Sequence, residues 1–311
     1  MKRYAWRDRI ESMDPERDFH DIYRIMVAHE FPWDMNQSLS FALFRTYAVP
    51  GIGALLASTG EFTERTQKRY DDTGLILDAV LEHGFSSDSG RRAIRRMNRM
   101  HRAYSIPDEE MRYVLCTFVV TPMRWMDAYG WRSFTETERI ASANYYRELG
   151  RHMNIRDIPA TYREFCEVMD AYEAEHFRHD PGARAVADST LELMTTFPPN
   201  NRAPAGLMRR FARALMDDAL LEAFDYPRPS RAMRALSRTA LRLRGRFVRF
   251  LPPRTSPKYA RQSANIRSYP DGYDLDRLGT FPPGCPVPEL GPQPTAQDTA
   301  RPHSNAPGSP R

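Results

Sequence analysis

The chain has 311 residues, 41% of them hydrophobic, with 45 Lys and Arg against 40 Asp and Glu for a formal charge of +5 and a mean hydropathy of −0.63. That is enough apolar material for one large core, at a length that would allow two domains. No run approaches the roughly 18 consecutive apolar residues of a spanning helix. Three widely spaced cysteines, Cys116, Cys166 and Cys285, without a C-x-x-C pair, exclude a disulfide framework.

The first residues, Met1-Lys2-Arg3-Tyr4-Ala5-Trp6-Arg7-Asp8, turn charged where a secretory leader would stay apolar, so the expected location is reducing and cytoplasmic. Helix signals run from residue 15 to 251, and no alternating apolar and polar runs suggest hairpins. The expected fold is therefore all-α, a single globular multi-helix domain. Residues 48–57 form an apolar stretch broken by Pro50, Gly51 and Gly53. Further on, Arg69 and Thr73 share a helical face with Ile76 and Val80, which puts a guanidinium and a hydroxyl at the edge of an apolar surface. Polar groups there are costly unless something uses them, and either a buried Arg–Asp pair or a binding site would account for them. In residues 91–104, Ile94, Met97, His101 and Tyr104 fall on one stripe while Arg91, Arg92, Arg95, Arg96, Arg99 and Arg102 crowd the others. His101 thus points where the apolar residues point, either as a core imidazole bonded to a carbonyl or as a metal ligand.

Residues 113–126 are nearly all apolar and predict a buried central helix, kinked at Pro122. Thr135-x-x-Glu138 and Thr161-x-x-Glu164 read as capping boxes that open two further helices, separated by Gly150 and Asp157-Ile158-Pro159. Phe165, Val168, Met169 and Tyr172 form the core stripe of the second. Glu173-x-x-His176 has the spacing of di-iron carboxylate bundles, but no second such motif occurs. With Glu175, His179 and Asp180 beside it, that segment reads as a solvated helix end.

From residue 226 to 270 there is no Asp or Glu, and the stretch carries +12, leaving −7 for the rest of a chain whose total is +5. The positive charge thus belongs to one segment, and with no zinc spacing or aromatic RNP pattern beside it, nucleic acid is not an expected partner. Residues 229–251 read as a basic amphipathic helix, with Met233, Leu236, Ala240, Leu243, Phe247 and Phe250 on a stripe and Arg231, Arg234, Arg238, Arg242 and Arg249 off it. Such a helix either packs on the core with solvated arginines or adsorbs to anionic lipid headgroups. Beyond Leu251 lie 13 of the 25 prolines and few aliphatic residues. The expected organisation is a helical domain over 1–251, an extended segment over 252–280 and a disordered tail over 281–311.

The order Arg69-x-x-x-Thr73 followed by His101 in Met97-Asn98-Arg99-Met100-His101-Arg102 resembles the haem-binding core of the MpaB/rubber oxygenase family, which includes latex-clearing proteins and the fungal mycophenolate-pathway oxygenase. The likeness extends through Phe31-Pro32-Trp33-Asp34, Arg45-Thr46-Tyr47-Ala48-Val49-Pro50, Thr121-Pro122-Met123-Arg124-Trp125, Tyr129-Gly130-Trp131-Arg132, Arg147-Glu148-Leu149-Gly150, Asp157-Ile158-Pro159 and Tyr269-Pro270-Asp271-Gly272-Tyr273. Each string is short, and their number and order carry the resemblance.

The resemblance implies an all-α fold holding a haem b, with His101 as proximal iron ligand and Arg69 and Thr73 near the porphyrin. It implies O2 as co-substrate and oxidative scission of a C=C bond in a lipophilic substrate, an isoprenoid or polyisoprenoid, giving carbonyl products. In latex-clearing proteins the residue just before that threonine is a lysine that can ligate iron from the distal side. Here it is Asp72, which argues for an open or water-filled sixth position and makes Asp72 a candidate base, with Asp71 its rival. Residues 52–56 and 114–120 suit the walls of a pocket and equally suit plain core. Arg95 and Arg99 either pair with haem propionates or face solvent. The candidate catalytic residues are Arg69, Asp72 and Thr73, and the cofactor-binding ones His101, Arg69 and Thr73. The non-enzymatic alternative is a helical protein that binds anionic membrane surfaces through its Arg-rich helix. The two coexist if a peripheral enzyme acts on a lipophilic substrate.

Overall fold

The computed structural model describes residues 1–280, and among them it contains helices and turns but no strand. The chain forms α1 (Ala5–Glu11), α2 (Phe19–Ile25), which runs into a π-helical turn at Met26–Glu30, α3 (Pro32–Thr46), α4 (Pro50–Ser58), α5 (Thr66–His83) and α6 (Asp88–Arg102). Then follow α7 (Asp108–Tyr129), α8 (Glu136–His152), α9 (Tyr162–His176), α10 (Pro181–Thr195), α11 (Ala205–Leu215), α12 (Asp218–Ala223) and α13 (Arg231–Val248). The all-α expectation holds for these residues. The tail expected over 281–311 lies outside them.

Helix α7 is the apolar helix expected at 113–126, extended at both ends and continuous through Pro122. It is almost wholly enclosed, with Tyr113, Leu115, Cys116, Val119, Val120, Met123 and Met126 buried, and it packs against α3, α8, α9 and α13. Tyr113 donates to the Glu173 carboxylate at 3.1 Å, so the phenol brought into the core has a partner. Glu173 also accepts from Arg45 Nε at 2.7 Å and is buried. The solvated helix end expected at 173–180 is thus corrected: Glu173 is a buried ion-pair partner, while His176 hydrogen-bonds the Tyr172 carbonyl at 3.0 Å.

The caps form largely as expected. Thr135 accepts from the Glu138 backbone while the Glu138 carboxylate accepts from Thr135 N, a complete capping box on α8. At α9 Thr161 caps as expected, but Glu164 reaches back one residue further, to Ala160 N at 2.7 Å.

Helices α5 and α6 pack together, joined by a tight turn. Gly84 takes φ +80°, and Gly90 lies so close to it that an added Cβ would stand 1.9 Å from the Gly84 carbonyl oxygen. The Ser87 hydroxyl caps α6 by accepting from Gly90 N at 2.9 Å. This packing fixes where α6 begins and hence where its last turn delivers His101.

The expected extended segment, 252–280, contains only two short 3-10 turns. It returns across α5 and α6 as a strap. Lys258 N donates to the Ala28 carbonyl at 2.9 Å, and Arg267 N and Ser268 N donate to Asp71 at 3.0 and 2.8 Å. Tyr269 hydroxyl meets Asp72, and the buried Arg96 reaches the Leu278 and Thr280 carbonyls. Arg261 N lies 3.5 Å from the buried Asp78, whose carboxyl is pushed up to about 6 chiefly by loss of solvent.

Gly90→Ala places a methyl on backbone that cannot yield, and denaturant titration should show a loss of about 1–3 kcal/mol. Asp78 titrates higher in the folded chain than unfolded, so its contribution is fully present below about pH 4 and lost as pH rises through about 6. Asp78→Asn should therefore gain on the parent chain between pH 4 and pH 7, by up to about 3 kcal/mol, in melts taken at both pH values.

Candidate functional site

A cavity of about 200 Å³ opens between α3, α4, α5, α6, α7 and α8. Its walls are mostly aliphatic, aromatic and Met side chains, including Ile52, Leu55 and Leu56 from α4 and Val114, Leu115 and Phe118 from α7. Both wall segments expected from the sequence therefore contribute. The polar exceptions include Thr46, Tyr47, Arg69, Thr73, His101, Tyr104 and Glu110.

Three of the four expected site residues meet here. On α5, Arg69 and Thr73 lie one turn apart, with Ile76 and Leu77 continuing the same wall. The Arg69 guanidinium donates to the Thr73 hydroxyl, which donates back to the Arg69 carbonyl at 3.0 Å. No carboxylate pairs with Arg69 among the described residues, although its side chain is deeply buried. Its charge rests against the Phe62 ring, 4.9 Å from the centroid. Burial pulls the guanidinium below its ordinary value.

His101 comes from the last turn of α6 and lines the facing wall. Its Nδ1 is buried without a hydrogen-bond partner. Loss of solvent, and then the positive charge of Arg69, push the imidazole down to about 4, so it is neutral near pH 7. Of the two readings of His101, the carbonyl-bonded core histidine finds no support at Nδ1.

Asp72 is not in the cavity wall. Standing about 100° round the helix from Thr73, it pairs with Lys68 at 2.6 Å and with the Tyr269 hydroxyl. Its rival Asp71 accepts from Gln67 at 2.7 Å and from two strap amides. The structure thus sets both expected base positions beside the cavity and not in its wall, where these carboxylates anchor the strap. Arg95 and Arg99 are exposed, while Arg96 holds the strap.

The carboxylate that does line the cavity is Glu110, in the first turn of α7. Burial raises it above the ordinary carboxylate range. Gly51 on α4 makes room for it, since a Cβ there would stand 2.2 Å from Glu110 Oε1. In the sequence Asp108-Glu109-Glu110 is indistinguishable from ordinary helix-start acids; the glycine opposite is its one local signature. Tyr47 and Tyr104 were likewise not singled out as site residues, and Tyr47 is pushed up to about 12 by burial. Among the described residues no three His, Cys, Asp or Glu side chains gather as a metal site.

Residues 32–250 match the family model described as "ER-bound oxygenase mpaB/B'/Rubber oxygenase, catalytic domain". An ER-bound oxygenase mpaB' from Penicillium brevicompactum is 31% identical over 290 residues, which are 87% of this chain and 67% of that protein. An ER-bound oxygenase mpaB from Penicillium roqueforti is 29% identical over 241 residues, 72% of this chain and 80% of its own length. An mpaB from P. brevicompactum is 30% identical over 209 residues, 61% of this chain and 53% of that protein.

A buried guanidinium with no carboxylate costs folding free energy. Arg69→Met, measured by denaturant titration without added ligand, should therefore leave stability unchanged or raise it by about 1–2 kcal/mol. A comparable loss would assign Arg69 to holding the fold.

Proposed function

The chain belongs to the mpaB/rubber oxygenase family and is an oxygenase; from that premise we propose that it uses a haem b held by His101 to cleave, with O2, a C=C bond in a lipophilic, isoprenoid substrate. The observation that carries this reading is the neutral imidazole of His101, its buried Nδ1 unpartnered, at the wall of a largely apolar cavity. A core histidine normally satisfies both nitrogens, and neutral imidazole is a common axial donor to haem iron. The residues present fit such a group in three respects. The donor is uncharged, the surroundings are largely apolar, and Arg69 offers a positive charge that makes no direct ion pair among the described residues.

A haem bound there would supply the O2-activating chemistry. The chain's own residues do the rest. His101, neutral across physiological pH, would hold the iron without first having to lose a proton. Arg69, its hydroxyl partner Thr73 keeping it oriented, would present a fixed cation to a propionate or to developing negative charge. The aliphatic and Met walls would exclude water and bind the hydrocarbon of the substrate. Glu110, with its carboxyl raised by burial, is the cavity group able to hold or move a proton, the role the sequence had suggested for Asp72.

The test is an absorption spectrum of protein expressed with haem precursor, repeated for His101→Ala. The parent should show a Soret band and the variant should lose most of it; equal loading with unchanged spectra would rule out the ligand. Incubation of loaded protein with a polyisoprenoid and O2, with trapping of carbonyl products, tests the reaction. Glu110→Gln should lower kcat by about 100-fold while leaving the Soret band intact.

A further inference from the structure

Helix α13 carries a surface that the cavity does not use. Its inward face is Ser237, Leu241 and Gly245, all buried. At Gly245 the backbones of α13 and α7 come so close that a Cβ would stand 2.5 Å from the Tyr129 carbonyl oxygen. Arg244 pairs with the buried Asp34 at 2.6 and 2.7 Å, and Arg234 pairs with Asp218. These contacts fix the rotation of the helix about its axis.

That rotation turns the larger apolar side chains outward. Leu236, Leu243, Phe247 and Phe250 are 65%, 54%, 65% and 84% exposed, and Leu251 follows at 41%. Spaced at 3.6 residues per turn, the first four form one ridge. Beside it stand Arg242, Arg246 and Arg249, exposed and without an ion pair among the described residues. No acidic residue occurs between positions 226 and 270 to neutralise them. Leaving such a ridge in water is unfavourable, and apolar side chains clustered in this way mark a contact surface.

The occupant must accept protruding Leu and Phe side chains and carry negative charge along their flank. A second copy of the chain on this face would bring two unpaired arginine rows together, which like-charge repulsion opposes. A bilayer has no such conflict: acyl chains receive a convex ridge without shape matching, and guanidinium groups lie at headgroup level. We propose that α13 and the turn to Leu251 are a membrane-contact surface, with Leu243, Phe247 and Phe250 set among acyl chains and Arg242, Arg246 and Arg249 against anionic phospholipid phosphates. The inference rests on no property of the cavity and holds with or without a bound cofactor.

Flotation of the full chain with vesicles of phosphatidylcholine, alone or mixed with phosphatidylserine, tests it. Binding should require phosphatidylserine and weaken with added salt. The triple substitution Leu243→Ser, Phe247→Ser, Phe250→Ser should lower the partition coefficient at least about tenfold. Arg242→Gln, Arg246→Gln, Arg249→Gln should lower it about fivefold per arginine and flatten its salt dependence. All six positions are exposed, so unchanged thermal melts confirm intact folding. Absence of binding, or binding unaltered in both variants, overturns the proposal. So does light scattering that shows a dimer abolished by the Leu/Phe substitutions, which would put a second copy on this face.

Discussion

A helix enclosed on nearly every side has to find partners for each polar group it brings inside, and α7 sets that condition for the whole molecule. Four helices pack on it, and they can do so because Tyr113 reaches Glu173, Trp125 reaches Asp34 at 3.2 Å, Thr117 donates to the Val114 carbonyl at 2.7 Å and most of the other buried side chains are apolar. Arg45 and Arg244 extend those two carboxylate pairings to α3 and α13. The cavity is the volume that α7 and its neighbours leave unfilled. Its wall is apolar for the same reason that the core is, and the few polar groups on it stand out against that background.

Two of those groups act on each other. Arg69 and His101 come from different helices to the same apolar volume, and the permanent charge of the first helps keep the second unprotonated. A water-filled site would screen this influence; a low-dielectric one transmits it. The α5–α6 turn at Gly84 and Gly90, together with the strap, makes the encounter reproducible, because neither helix can slide along the other without breaking a backbone contact or exposing a paired carboxylate.

What could be read in the sequence was what local periodicity carries. The all-α class, the enclosed helix, both threonine caps and the placement of Arg69, Thr73 and His101 toward apolar surroundings all follow from spacing within single elements. The parts that could not be read depend on distant chain. Asp71 and Asp72 resemble site residues locally, and besides Gln67 and Lys68 one turn back, their partners lie almost 200 positions away in the strap. Glu110 is hidden in a run of helix-start acids. Helix α13 shows a further limit: its stripe of Leu and Phe was legible, but which face turns inward was not. The seat on α7 is made by Ser237 and Gly245, small residues whose value is close approach and which carry little hydropathy.

The strap also gives the chain a temporal order. It furnishes Thr280 to the cavity wall and satisfies Asp71, Asp72 and Arg96, yet it is the last described stretch to leave the ribosome. Until then α5 and α6 stand unclasped, with two carboxylates and a guanidinium lacking their final partners. Residues 258–280 therefore close part of the cavity wall and clasp α5 to α6 in one stroke, so damage to the strap reaches both.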